Sequence, residues 1–81
     1  MNQDIYEEYA TMDIELAAIL KYSGHTLDRI ECERTKGIFY FKDVEKNILN
    51  DFDLGKYLVE PRGFYAEVRN LTTAVKRMTR Y

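Results

Sequence analysis

The last twenty residues of the chain repeat apolar side chains with the period of a helix. Phe64, Val68, Leu71, Val75 and Met78 are separated by four, three, four and three positions, which places them on one face of a helix. We therefore predict a two-sided C-terminal helix over residues 62–79, apolar towards the rest of the domain and cationic towards water.

The sequence predicts neither a disulfide nor a metal site that would stabilise so small a fold. Its 81 residues include one cysteine and one histidine, which excludes an intramolecular disulfide and a structural zinc site of four Cys or His ligands. No cofactor motif is present, and we predict neither a metal nor a cofactor. Stability must come from helix packing or from self-association, so we keep a homo-oligomer as an alternative.

Composition predicts a cytoplasmic protein that is not associated with membranes. The unpaired cysteine is typical of a reducing compartment. No apolar stretch approaches the 18 residues of a membrane span, and the acidic N-terminus is unlike the basic start of a signal peptide.

The first half of the chain predicts a helix followed by a hairpin. Asp13 can cap a helix over residues 13–22. The helical spacing begins earlier, because apolar residues four, three, four and three positions apart occur at Ile5, Tyr9, Met12, Leu16 and Ile19. The helix could therefore extend back through residues 1–12, which we treat as an N-terminal extension that precedes a single domain at 13–81.

Residues 27–41 predict a hairpin with a turn at Lys36-Gly37. Its first strand, 27–34, alternates and has Arg29 and Glu31 on its wet face, and its return strand, 38–41, is apolar on both faces.

The second half predicts two more helices and a short extended piece. Asp43 can cap a helix over residues 44–52, and Gly55 is predicted to end it. Residues 57–59 could add an edge strand before Glu60-Pro61, which suits the start of a helix. The predicted fold class is α+β, with a small antiparallel hairpin or sheet packed against three helices in the order α-β-β-α-(β)-α.

The residues at these joints resemble a family of small uncharacterised proteins from bacteria, archaea and their viruses. The similarity runs from Asp13 to about Lys76. The residues that carry it are Asp13, Leu16-Ala17-Ala18-Ile19-Leu20, Gly24-His25, Phe39-Tyr40-Phe41, Asp43, Tyr57-Leu58-Val59-Glu60-Pro61-Arg62, Phe64 and Arg69-Asn70-Leu71. The resemblance implies a small accessory protein of phage or mobile-element origin, and it implies no activity.

Charge is distributed unevenly along the chain. Residues 1–60 carry seven basic and thirteen acidic side chains, whereas residues 61–81 carry five basic and one acidic. Arg62, Arg69 and Lys76 are seven positions apart and fall on one helical stripe, with Arg80 close by. This stripe is a candidate binding surface, and the alternative is a solvated helix face whose cations are favoured by the helix dipole.

The N-terminal segment offers a second candidate surface. Tyr6 and Tyr9 stand among acidic residues, where tyrosines could anchor a protein partner. The alternative is a tail whose tyrosines fold over the hairpin.

Catalysis is not predicted. Cys32 alternates onto the apolar side of its strand, and His25 follows a helix-ending glycine, so the two are not expected to form a nucleophile and base. Phosphate-loop, dinucleotide and nucleophile-elbow motifs do not occur in the sequence.

Two hypotheses of function follow. The first is a non-catalytic binding protein, encoded by a phage or mobile element, that contacts a host regulator or defence component, or a second copy of itself. The alternative is a nucleic-acid-binding protein that uses the basic face of the C-terminal helix.

Overall fold

The protein is built on a three-stranded antiparallel sheet. The computed structural model describes residues 4–79. Strands β1 (Ile5–Thr11), β2 (Leu27–Glu33) and β3 (Lys36–Glu45) lie in the order β1-β3-β2, so β3 is central. Both neighbours of β3 run antiparallel to it. The fold class is α+β, as the sequence predicts.

Three helices complete the fold. They are α1 (Ile14–Tyr22), α2 (Lys46–Asp53) and α3 (Pro61–Met78). The predicted cap of α1 is present, because Asp13 Oδ1 accepts hydrogen bonds from the backbone amides of Glu15 and Leu16 at 2.9 and 3.3 Å. In the described chain the elements follow the order β-α-β-β-α-α.

One face of the sheet forms the core with the helices. On β3, Gly37, Phe39 and Phe41 alternate inward and are buried, as the two-residue period of a strand requires. Asp43 then adopts a positive φ of 56°, and the alternation shifts so that Val44 is also buried. Phe39, Phe41 and Val44 form one cluster with Leu71 of α3 and with four buried residues of α1, which are Leu16, Ala17, Ala18 and Leu20.

The helical prediction for the N-terminal extension is wrong for residues 5–11, which form β1. Tyr9 is paired with Phe41 and Thr11 with Phe39, so β1 covers the edge of β3 that β2 leaves open. The spacing that favoured a helix continued across the bend at Met12-Asp13. Aromatic and β-branched residues in this segment suit a strand once a partner edge exists.

The predicted edge strand at 57–59 is also wrong. The hydroxyl of Tyr57 is hydrogen-bonded to Ser23 Oγ, and the hydroxyl of Tyr22 accepts a hydrogen bond from the Glu60 amide at 3.0 Å. These contacts hold the segment against the end of α1, and Pro61 begins α3 immediately afterwards.

Two local predictions fail around β3. Asp43 does not cap α2, because β3 continues to Glu45 and the Lys46 amide donates to the carbonyl of Asp4 at 2.8 Å. The hairpin turn lies at Arg34-Thr35 rather than Lys36-Gly37. Gly37 is instead buried in β3.

The hairpin turn carries a strain that a glycine would relieve. Arg34 has a positive φ of 62°, a conformation that costs an L-residue with a Cβ about 1–2 kcal/mol. We expect Arg34→Gly to raise the free energy of unfolding by about 1 kcal/mol, measured by urea denaturation. Thr35→Gly is the matched control and should destabilise the turn, since the described residues of positive φ do not include Thr35. An Arg34→Gly protein less stable than the wild type would contradict this account.

Candidate binding face on the last helix

The start of α3 is fixed by the residues that precede it. Glu60 is the N-cap, and its Oε1 accepts a hydrogen bond from the Gly63 amide at 2.7 Å. Pro61 occupies the first turn, where its missing N–H has no partner to lose. Both features were predicted. They fix the residue at which α3 begins.

The inward face of α3 is apolar, as the period predicts. Leu71 is 1% exposed, and Phe64, Val68 and Val75 pack on the core while remaining partly exposed. Met78, at the end of the helix, is exposed.

The single acidic residue of α3 is turned towards α1. Glu67 Oε1 lies 3.2 Å from Lys21 Nζ, and both side chains are partly buried. This ion pair links the two helices. It also removes the only negative side chain of α3 from the solvent face.

The solvent face of α3 consequently carries positive charge without compensation. Arg62, Arg69, Lys76 and Arg77 are exposed, and none of them forms an ion pair with another residue of the described range 4–79. Tyr65, 61% exposed, lies beside them. At 1.5 Å per residue, the positions 62, 69 and 76 repeat every ~10 Å. We call these four cations and Tyr65 the α3 cationic face. Arg80, also predicted for this surface, lies outside the described residues.

The predicted tyrosine surface is only partly exposed. The rings of Tyr6 and Tyr9 are 5.6 Å apart, and Lys46 Nζ lies 4.9 Å from the centroid of Tyr6. Tyr9 packs against the core, and burial, together with Asp53, raises the pKa of its hydroxyl. Tyr6 is the accessible member, at 42%. Both lie on β1, which flanks β3 on the side opposite β2, whereas α3 packs mainly against α1.

A charge network on the open face of the sheet was not predicted. Arg29 contacts Glu8, Asp28 and Glu31 at 2.8–3.0 Å, and its guanidinium lies 3.9 Å from the centroid of the Tyr40 ring. The hydrogen bond from Arg29, followed by one from the Tyr40 hydroxyl, lowers the pKa of Glu31. The strand period alone placed Arg29 and Glu31 on the wet face, but their contacts with Glu8 and Tyr40 depend on cross-strand register. The arginine is thus paired with three neighbouring acids on the surface of the sheet.

His25 and Cys32, the two residues considered for thiol chemistry, are well separated. His25 precedes β2, whereas Cys32 lies near the far end of that strand. Cys32 is five positions beyond Leu27, the first residue of β2, and five residues of a strand span roughly 17 Å. Across residues 4–79, no group of three or more His, Cys, Asp or Glu side chains is arranged to hold a metal ion. None of the helices described is long and apolar enough to cross a membrane.

A family model described as "Domain of unknown function (DUF5659)" matches residues 6–77. The chain belongs to this family. The match confirms the resemblance to an uncharacterised family, and the DUF5659 region spans every described helix and strand except the ends of β1 and α3. The α3 cationic face therefore lies within the DUF5659 region. No match was found among curated proteins or among solved structures.

Proposed function

We propose that the protein is a non-catalytic binding protein that contacts an acidic surface of a protein partner through the α3 cationic face. The observation that carries the proposal is that this face holds four exposed cations and no acid, because Glu67 is paired with Lys21. An uncompensated face of this kind attracts a partner of opposite charge.

The side chains on this face are suited to a protein interface. Arginine and tyrosine are the residue types, together with tryptophan, that dominate binding energy at interfaces. Arg62, Tyr65 and Arg69 lie within two turns of one another on a helix that is capped and packed along its length. A rigid helix face loses little conformational entropy on binding.

The charge of the rest of the chain favours a compact partner over an extended polyanion. Thirteen acidic and seven basic side chains precede Pro61. A long nucleic acid bound to α3 would extend over this acidic part of the chain and be repelled by it. A protein surface that contacts α3 alone would not be.

Nucleic acid is the second candidate, and the spacing of the cations favours it. The ~10 Å repeat along α3 gives a linear array, which phosphates of one strand could follow. If this candidate is correct, affinity for a short duplex or single strand should fall steeply between about 50 and 200 mM salt. Absence of binding at the lower salt would remove it.

The proposed setting is the cytoplasm of a cell that carries a phage or mobile element. The free, partly buried Cys32 suits a reducing compartment, and the resemblance to proteins of bacteria, archaea and their viruses supports the origin. We define the partner further as a host regulator, a defence component or a second copy of this chain, in which the acidic residues of β1 would supply the complementary surface.

The test uses charge reversal on and off α3. Immobilised wild type, Arg62→Glu/Arg69→Glu and the matched control Lys42→Glu/Lys56→Glu, all exposed positions, are used to capture partners from host lysate with and without nuclease. We expect the wild type and control to retain a nuclease-resistant protein partner and the α3 variant to lose it. Sedimentation of the purified proteins would show whether that partner is the chain itself.

Two outcomes would overturn the proposal. Capture that disappears with nuclease would transfer support to the nucleic-acid candidate. Equal loss in both double variants would show that net charge, rather than the α3 cationic face, determines binding.

A further inference from the structure

A cleft opens at the end of the sheet where the hairpin turn, the start of α1 and the last turns of α3 meet. Its volume is about 560 Å³, within the range of roughly 300–1,000 Å³ that is typical of small-ligand sites. Ile14, Phe39 and Val75 supply side chains to its wall. We call it the turn-end cleft.

The wall of the turn-end cleft is mainly apolar. Ile14 and Val75 are partly exposed members of the packing around the core, and Phe39 belongs to the core itself. Gly37 also lines the cleft. The absence of a side chain at Gly37 lets Val75 approach the strand closely, so that the cleft is bounded by α3 on one side and β3 on another.

The rim of the turn-end cleft is cationic. Lys36, from the start of β3, and Lys76, from the end of α3, both line it. Both are exposed, and neither forms an ion pair within the part of the chain that the structure describes. An adjoining depression adds Arg34 and one acid, Glu33, so the surroundings of the cleft are positive.

We propose that the turn-end cleft binds a small amphipathic anion, in which an unbranched or aromatic hydrocarbon carries one carboxylate. The hydrocarbon contacts Ile14 and Val75, and the carboxylate lies between Lys36 and Lys76. Charge complementarity fixes this choice, because a neutral apolar ligand would leave both lysines without a partner, and a fully polar anion would leave the apolar wall in water.

This inference goes beyond the proposed function and does not depend on it. Lys76 belongs both to the cleft and to the α3 cationic face, but Arg69 and Arg62 lie about two and about four helical turns from it. The two proposals therefore fail separately, since their test variants share no residue.

The test compares decanoate with decanol on the full chain. Amide chemical shifts are followed by NMR during titration, below the critical micelle concentration of decanoate and below the solubility limit of decanol. We expect saturable decanoate binding, with shifts concentrated in residues 35–37 and 72–76, and binding of decanol that is about tenfold weaker. In the series octanoate, decanoate and dodecanoate, affinity should rise by up to about fourfold for each methylene that the cleft buries.

Charge reversal supplies the matched control. Lys36→Glu/Lys76→Glu should weaken decanoate binding by about tenfold while decanol binding is unchanged. Lys42→Glu/Lys56→Glu, which has the same net charge but leaves the rim intact, should bind decanoate as the wild type does.

Four results would overturn the proposal. The first three are equal affinity for decanoate and decanol, shifts spread over residues remote from the cleft, and equal weakening by the two double variants. The fourth is lack of saturable decanoate binding by the wild type, a result that does not depend on whether any variant folds.

Discussion

Leu71→Ala is expected to lower the free energy of unfolding by about 2–5 kcal/mol. Leu71 is 1% exposed and belongs to the same core cluster as Leu20, Phe39 and Phe41. Its removal leaves a cavity that the surrounding β3 and α1 cannot close fully, because their own side chains are packed against one another. The loss is comparable with the whole stability of many domains of this size, since a small core supplies only about 3–5 kcal/mol.

Urea denaturation followed by circular dichroism measures this loss, and two further variants keep the result interpretable. Leu71→Met conserves volume and should cost less than about 1.5 kcal/mol, so it reports on the site if the alanine variant does not fold. Thr73→Ala, on the exposed side of the same helix, should change stability by no more than about 0.5 kcal/mol. An alanine variant at Leu71 that unfolds like the wild type would contradict the assignment of the buried face of α3.

The elements that were predicted correctly are those whose signals are local. The period of Leu71 and its neighbours defines the buried face of α3, and Glu60 and Asp13 are caps that act within three residues. Gly24 and Gly55, which end α1 and α2, both have the positive φ that favours glycine at such positions. Each of these features depends on residues close in sequence.

The elements that were predicted wrongly depend on distant partners. Residues 5–11 form a strand because β3 has a second edge, and Tyr9 pairs there with Phe41, 32 positions later. Nothing in the local spacing of Ile5, Tyr9 and Met12 distinguishes this strand from a helix. The segment at 57–59 has strand-like composition, yet its tyrosine hydroxyl binds Ser23 at the end of α1.

The candidate sites divide in the same way. The stripe of Arg62, Arg69 and Lys76 follows from helical period alone, and the structure places all three on the exposed side of α3. The ion pair of Glu67 with Lys21 leaves that stripe without a negative neighbour, and it requires α1 and α3 to be packed together. The turn-end cleft likewise combines residues from both ends of the chain, so periodicity could not reveal it.

Gly37→Ala is expected to lower the free energy of unfolding by about 1–3 kcal/mol through overpacking. A Cβ at this position would lie 2.5 Å from Val75 Cγ2, which is closer than two non-bonded carbon atoms can approach. Because Gly37 is in the central strand, paired with Cys32 on β2, its backbone has little freedom to move away. The helix must shift instead, and its contacts with the core weaken.

A double-mutant cycle with Val75→Ala separates this clash from any effect on the strand itself. Val75→Ala removes the atom that the new Cβ would meet, at the cost of some core contact. Gly37 does not have the positive φ found at Gly24 and Gly55, so alanine can adopt its backbone conformation. In the Val75→Ala background, Gly37→Ala should therefore be neutral or stabilise by about 0.4–1 kcal/mol, because alanine restricts the unfolded chain. Equal destabilisation in both backgrounds would place the requirement for glycine in the strand, and would mean that close approach of α3 to β3 does not explain it.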